Sequence, residues 1–510
     1  MESVNELQQE NERLKALLAE QKQSLTDKEQ RIQTLEELIR YFKHQKFSAS
    51  SEKSSTDQLG LFNEAEEIAQ NDTDDENPSV DVKAHQRTSK PRVAIPPHLP
   101  REVIEYDLAE SEKVCPHDQT PLVGLGTEDH EQLDIIPAKV KVIQHRRHKY
   151  ICPCCQNYHV TAKKPKQPIE KSIATPGLLA YVATQKYCDA LPLYRQADIF
   201  KRSEILLDRT NLSNWMIRCG ELIQPLINLI QERILQQPVV HMDETTVQVL
   251  KEPDKFAQSK SYMWLMASFG QHSMVFYHYS PTRQQEVPKQ LLNDELQTLM
   301  VDGYQGYQSA CDQYRITRLG CWAHARRKFV DAQKIQPKGK TGKADQAIAF
   351  IQNLYRIEKS IKEKTVEERY RFRQAEAKPI IEKMHKWLQK SLTHSPPQSK
   401  LGEALIYLNN QWPRLVCYLE DGRYPVDNNL AENSIRPFTI GRKNWLFSNS
   451  QAGAKASANL YSLVETAKAN QLNPYDYLRE VFTRLPNAET VEEIEALLPG
   501  CIELETFSRQ

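Results

Sequence analysis

Val239-Val-His-Met-Asp-Glu-Thr-Thr-Val-Gln-Val-Leu250 is an apolar, β-branched run with a carboxylate, Asp243, in its middle. Such a run reads as a strand largely buried in a sheet. A second run, Leu296-Gln-Thr-Leu-Met-Val-Asp-Gly-Tyr-Gln-Gly-Tyr307, sets Asp302 at a strand tip before a glycine turn. A third stretch, Val426-Asp-Asn-Asn-Leu-Ala-Glu-Asn-Ser-Ile-Arg-Pro437, reads as a helix start, with Asp427 or Asn428 as N-cap and Glu432 in the first turn. Two carboxylates on neighbouring strands and a third on a helix can hold two Mg²⁺ or Mn²⁺ ions for phosphodiester chemistry. Each residue also has a plainer reading, since an aspartate at a strand end commonly caps a turn and a helix glutamate is commonly solvated.

Working outward, strands are expected near 239–250, 261–269, 273–280, 297–302 and 315–320. The 59 residues from Asp243 to Asp302 suit two strands separated by a hairpin and a helix, whereas the 130 from Asp302 to Glu432 exceed what a plain fold needs (302 − 243 and 432 − 302). Charged helical periodicities over about 335–420 read as an inserted helical domain, either structural or a DNA clamp. The expected fold class is therefore multidomain α/β, with a mixed-sheet core.

The flanking segments divide the rest. Residues 1–47 carry heptads with Val4, Asn11, Leu18, Leu25, Ile32 and Ile39 at a, and Leu7, Leu14, Gln21, Lys28, Leu35 and Phe42 at d. Nine of these twelve are apolar, and Asn11 is the usual device for fixing register, so a homo-oligomeric coiled coil is expected. Residues 48–100 are serine-, acid- and proline-rich and read as a disordered linker. Residues 101–170 read as a small β module built on a strand at 140–151. Cys152 and Cys155 form a C-x-x-C knuckle there, and Cys115 with His117 or Asp118 supplies the other half. These are candidate ligands for a structural Zn²⁺, with Cys154 as an alternative knuckle thiol and a metal-free module with buried thiols as the competing reading.

Residues 171–236 are helical, and Leu206–Arg218 resembles the second half of a helix-turn-helix capped by Asp208. Arg209, Thr210, Ser213 and Asn214 would face DNA, while Leu212, Trp215 and Met216 would face the core. A plain helical hairpin fits the pattern equally well. Cys321 and His324 have C-x-x-H spacing without a second pair, which favours core packing for Cys321. His324, Arg326 and Arg327 are candidate phosphate contacts, as are Arg436, Arg442 and Lys443, the last two next to Trp445 and Phe447, whose rings could stack on a displaced base. A final helical segment covers 471–510, and Glu465 is the rival third carboxylate.

Lys+Arg and Asp+Glu number 67 each among 510 residues, but the charges are segregated, with an acidic block at 61–86 and basic stretches at 140–171 and 315–343. Segregation of this kind is compatible with nucleic-acid binding. Ten cysteines in so long a chain make no secreted-scaffold pattern, and no long apolar span is present, so a cytoplasmic protein without membrane partners is expected.

The sequence resembles the transposases of the insertion-sequence sixty-six family, a DDE type with a ribonuclease-H-like core. The matching stretches are His241–Thr245, Val301–Tyr307, Gly320–Phe329, Asn428–Phe438, Gly441–Ser448 and Ser462–Asn470. The order agrees over roughly 30 to 485. The resemblance implies that Asp243, Asp302 and Glu432 form the catalytic triad of a catalytic domain at 237–470, with Mg²⁺ or Mn²⁺ as cofactor. It implies double-stranded DNA as partner, both element ends and target, with accessory element-encoded proteins as further candidates. It also implies association with the bacterial nucleoid when DNA is bound. The family carries a zinc-finger-like region where Asp118 stands in place of a second knuckle cysteine. A metal-dependent nuclease of the same fold and a DNA-binding regulator are the alternative functions.

Overall fold

A computed structural model describes residues 11–25, 28, 31–32, 103–104, 140–151, 157, 159–268, 270, 272–335 and 341–502. Residues 11–25 are helical, and their apolar positions are exposed: Leu14, Leu18 and Leu25 are each at least half open to solvent.

Residues 76–164 form a separate compact unit. Its described part contains a two-stranded antiparallel hairpin, β1 (Lys149–Ile151) with β2 (His159–Thr161). The strand expected over 140–151 is thus realised only at its end. Val140, Val142 and Ile143 are exposed and, among the described residues, have no partner strand to bury them.

In the larger unit, four helices come first: α1 (Pro176–Tyr187), α2 (Leu193–Arg202), α3 (Arg209–Leu222) and α4 (Gln224–Leu235). Asp208 caps α3 by accepting from the Asn211 N–H at 2.7 Å. Leu212, Trp215 and Met216 are buried, whereas Arg209, Thr210 and Asn214 are exposed and Ser213 is half-buried.

The sheet follows. β3 (Val240–Lys251), β4 (Lys260–Ser268) and β5 (Met274–Ser280) make an antiparallel meander. After α5 (Glu286–Leu291), β6 (Thr298–Val301) returns parallel to β3. α6 (Gln308–Tyr314) then leads to β7 (Thr317–Gly320), parallel to β6. The order is β5-β4-β3-β6-β7, a mixed sheet that places the ends of β3 and β6 side by side at its centre. All five strands lie within a residue or two of the expected positions, because β-branched and aromatic alternation marks them clearly.

α7 (Trp322–Gln333) opens the helical insertion, continued by α8 (Lys343–Ser360), α9 (Val366–Phe372), α10 (Lys378–Thr393) and α11 (Lys400–Val416). These helices bury a second core around Trp322, Phe329, Leu354, Met384 and Leu408. The indole N–H of Trp322 donates to the Leu415 carbonyl at 2.9 Å and locks the first helix to the last. The chain then re-enters the first core through α12 (Asn429–Trp445), β8 (Ser448–Ser450, parallel to β3), α13 (Gln451–Ala469), α14 (Pro474–Arg484) and α15 (Val491–Glu495).

α13 covers the free edge of β5. Ser462 Oγ accepts the Tyr277 N–H at 2.7 Å, and Thr466 Oγ1 exchanges hydrogen bonds with both backbone groups of Val275 at 3.0 Å. Hydroxyls on a helix thus satisfy an edge that would otherwise recruit another strand. Nearer its start α13 crosses α3 closely, where a Cβ on Gly220 would lie 2.6 Å from the Ala456 backbone. Among the described residues no helix is long and apolar enough to cross a membrane.

Candidate functional site

Asp243 is the fourth residue of β3, paired with Leu265 of β4, and its Oδ1 accepts the Glu244 N–H at 2.8 Å. Asp302 follows β6 directly. Its Oδ1 accepts the Tyr304 N–H at 2.8 Å, a local turn that holds the carboxylate at the strand tip. The turn is fixed from behind by Arg318 of β7, a buried guanidinium donating to the carbonyls of Asp302 at 3.0 Å and Tyr304 at 2.8 Å. Tyr407 of α11 packs on Gly303, where a Cβ would lie 2.8 Å from the ring. The insertion therefore reaches the rim of the site.

Glu432 comes from the first turn of α12, and its carboxylate is buried. Arg327 of α7 donates to Oε2 at 3.1 Å, and His324 Nδ1 faces Oε1 at 3.3 Å. What brings this helix to the sheet is Asn428, which is fully buried. Its Nδ2 donates to the Met242 carbonyl at 2.8 Å, while Oδ1 lies 3.0 Å from His241 Nδ1. The expected N-cap role is therefore not what Asn428 does. Asp427 accepts the Asn429 N–H at 3.1 Å instead and is held by the Tyr355 hydroxyl of α8 at 2.6 Å.

The electrostatics follow from this convergence. Burial, then Glu244, Glu432 and Asp302 in turn, push the Asp243 carboxyl well above the ordinary carboxylate range. Burial raises Glu432 to about 7 against the opposing pull of Arg327. Burial also raises Glu244, despite bonds from Tyr307 and from Arg283 Nε at 2.7 Å. His241 and His324 are lowered to about 4, chiefly by burial, and stay neutral. The largest charge effects on Asp243 come from other acids. Carboxylate oxygens are the hard donors that Mg²⁺ or Mn²⁺ takes, but Arg327 holds Glu432 and Arg283 holds Glu244 at the same place, and among the described residues the metal-ligating groups within 4.8 Å of Glu432 are Cys321 and His324.

Glu465, the rival third carboxylate, is engaged by Lys468 at 2.9 and 3.1 Å on α13, and the acids acting on Asp243 are Glu244, Glu432 and Asp302. Three expectations for the surrounding residues change. Arg326 is buried beside Tyr355 and does not present its charge to DNA, because α7 turns that face into the second core. Arg442 is half-buried and bonds Thr245 Oγ1 at 3.1 Å, strapping α12 to β3. Trp445 packs edge-on against Phe438 at 5.4 Å, while Phe447 and Lys443 are exposed and Arg436 is half-buried. Cys115, His117, Asp118, Cys152, Cys154 and Cys155 lie outside the described residues.

The reading of the sequence missed His241, Glu244, Arg283 and Arg318. The signal available for the last was a charged residue inside the apolar β7 run.

Residues 171–456, more than half the chain, match the family model described as Transposase IS66 family. The chain belongs to that family. Three further models of this transposase family match in order. Residues 34–104 match "Transposase C of IS166 homeodomain", 112–156 the zinc-finger binding domain of transposase IS66, and 462–499 the IS66 C-terminal element. Among curated relatives, the uncharacterized protein y4qI of Sinorhizobium fredii is 34% identical over 433 residues, 81% of this chain and 78% of its own. The uncharacterized protein y4jD of the same organism is 30% identical over 449 residues, 85% of this chain and 86% of its own. The chain is thus a transposase-family protein with DNA as its partner, and its zinc-finger region spans the cysteines at 115, 152 and 155.

Proposed function

We propose that this transposase cleaves element ends and joins the freed 3′ ends to target DNA at Asp243, Asp302 and Glu432. The observation that carries this reading is that Asp302 at the tip of β6 and Glu432 at the start of α12 both act on the buried Asp243 carboxyl of β3, and Asp302 acts on Glu432 as well. The strand order β5-β4-β3-β6-β7, with two acids on adjacent central strands, supports a ribonuclease-H-like core within 237–470, interrupted by an insertion at about 335–420. Two Mg²⁺ or Mn²⁺ ions bound there would activate a water or 3′-hydroxyl and stabilise the leaving oxygen. The protein's own contribution is positional. Arg318 holds the Asp302 turn, Asn428 sets α12 against β3, and Arg327 holds one oxygen of the Glu432 carboxylate. Displacement is in line, with no covalent protein intermediate.

For the DNA, the exposed Arg209, Thr210 and Asn214 on α3, together with Ser213, support recognition by a domain at 171–236. Arg436, one turn after Glu432 on α12, and the exposed Lys443 in its last turn supply charge for phosphate. Zn²⁺ is assigned to the module at 101–170 through Cys115, Cys152, Cys155 and His117 or Asp118. The exposed Leu14, Leu18, Leu25 and Ile32 support pairing of two copies through the segment 1–47, across a linker at 48–100. The protein acts in the bacterial cytoplasm. The test is to incubate the full-length chain with oligonucleotides carrying candidate element ends, target DNA and Mg²⁺. Joined product is expected. Persistent intact ends despite specific DNA binding would favour the regulator reading.

A further inference from the structure

Cys321, His324 and Glu432 gather at one point beside the aspartates. Cys321 Sγ, a ring nitrogen of His324 and a carboxylate oxygen of Glu432 all lie within 4.8 Å of one another. The cysteine ends the β7 run and the histidine lies on the first turn of α7, so one strand-to-helix junction supplies both. The glutamate arrives from α12, 108 residues further on (432 − 324).

Two features distinguish this cluster from ordinary packing. First, among the described residues Glu432 Oε1 and His324 Nδ1 are buried without a hydrogen-bond partner, although they face each other at 3.3 Å. Leaving such atoms unsatisfied is costly, and native interiors rarely do so without a reason. The Glu432 side chain is 5% exposed, and only its other oxygen is taken, by Arg327. Second, Cys321 Sγ accepts the Asn428 N–H at 3.2 Å, and the His324 backbone N–H also acts on it. Burial, Asp427 and Glu432 push this thiol well above its usual range, and the two backbone donors oppose that push, so a thiolate here calls for a cation beside it.

We propose that Cys321, His324 and Glu432 form a binding site for a thiophilic divalent ion of the Zn²⁺ class, distinct from the oxygen-only site of the aspartates. A thiolate, an imidazole and a carboxylate leave the fourth tetrahedral position to water or a substrate oxygen. Thiolate and carboxylate together balance the ion's charge. Mg²⁺ and Mn²⁺ avoid sulfur, so the cluster selects against the ions that the carboxylates hold. Because Glu432 belongs to both sets, filling this site withdraws the third carboxylate from Asp243 and Asp302. That consequence, though not the binding itself, rests on the proposed role of Glu432.

Co²⁺ is the probe, since its visible spectrum reports thiolate ligation directly. Full-length protein is titrated as wild type, Cys321→Ser and His324→Gln, with circular dichroism as a check on folding. Comparing variants cancels any cobalt taken up by the zinc-finger region. Wild type is expected to take up about one equivalent more than either variant, with a thiolate band that both variants lack. Equal uptake by wild type and by folded His324→Gln would overturn the proposal, and this holds even if Cys321→Ser does not fold. A parallel Mn²⁺ titration separates the two readings. Zn²⁺ should weaken Mn²⁺ binding in wild type. Cobalt uptake without any Mn²⁺ binding would leave this site standing and count against the role given to the aspartates.

Discussion

His241 and Asn428, 187 residues apart, meet at 3.0 Å in the interior and join the strand bearing Asp243 to the helix bearing Glu432. The polarity of this contact can be assigned. The Met242 carbonyl only accepts, so Asn428 directs Nδ2 to it and offers Oδ1 to the imidazole. Burial keeps His241 neutral, and its proton must therefore sit on Nδ1.

Replacing Asn428 with Ala removes both bonds and orphans a buried donor and a buried carbonyl. The expected cost is about 2–6 kcal/mol of stability at about 1–3 kcal/mol for each of the two orphaned groups. Activity should fall further than stability implies, because the first turn of α12 loses its register against β3. Chemical denaturation together with joining assays on the folded variant checks this. Unchanged stability would show that the bridge does not hold α12.

As far as these three groups decide it, the metal-free protein should gain stability from about pH 4 to about pH 7, because the two histidines together outweigh Glu432. Glu432 binds its proton more tightly folded than unfolded, so its contribution is complete below the ordinary glutamate value of 4.5 and is lost as pH rises through about 7. Ionising it inside the fold costs about 3 kcal/mol. His241 and His324, lowered to about 4, act oppositely, and their contribution is lost as pH falls from 6.5 toward 4. Mg²⁺ should therefore raise the melting temperature more at pH 8 than at pH 6, where protons compete for the carboxylates. An increment independent of pH would contradict the assignment of Glu432 as a ligand.

Gly220→Ala places a methyl 2.6 Å from the Ala456 backbone, with no flexible atom to give way. The α3–α13 crossing must open, at about 1–3 kcal/mol. Because α3 carries the exposed Arg209, Thr210 and Asn214, DNA binding should weaken along with stability. Calorimetry and gel-shift titration read the two effects, and an unperturbed melting temperature would count against the close crossing.

Some of this was legible in the sequence and some was not. The five main strands announce themselves by alternation, and Asp208 by its place before an apolar periodic run, since both are local patterns. Asn428 also looks like a local signal, a cap, but its side chain serves a contact that spans most of the sheet domain's sequence. Arg326 and Arg327 are adjacent and chemically alike, yet α7 turns one into the second core and the other toward Glu432. Only the packing of α7 against α8 and α11 decides which face each takes. Val140–Ile143 has strand composition without, among the described residues, a strand to pair with.

The most direct test of the three-carboxylate centre is strand transfer of a labelled element end by Asp243→Asn, Asp302→Asn, Glu432→Gln and Glu465→Gln, each measured beside its DNA affinity. The amide variants keep the size of each side chain, and in Glu432→Gln the remaining carbonyl oxygen can still accept from Arg327, so loss of charge is the main change. The first three should bind DNA as wild type does and form no joined product, while Glu465→Gln joins at a rate close to wild type. Joining by Glu432→Gln, with none by Glu465→Gln, would contradict the account and move the third carboxylate to α13.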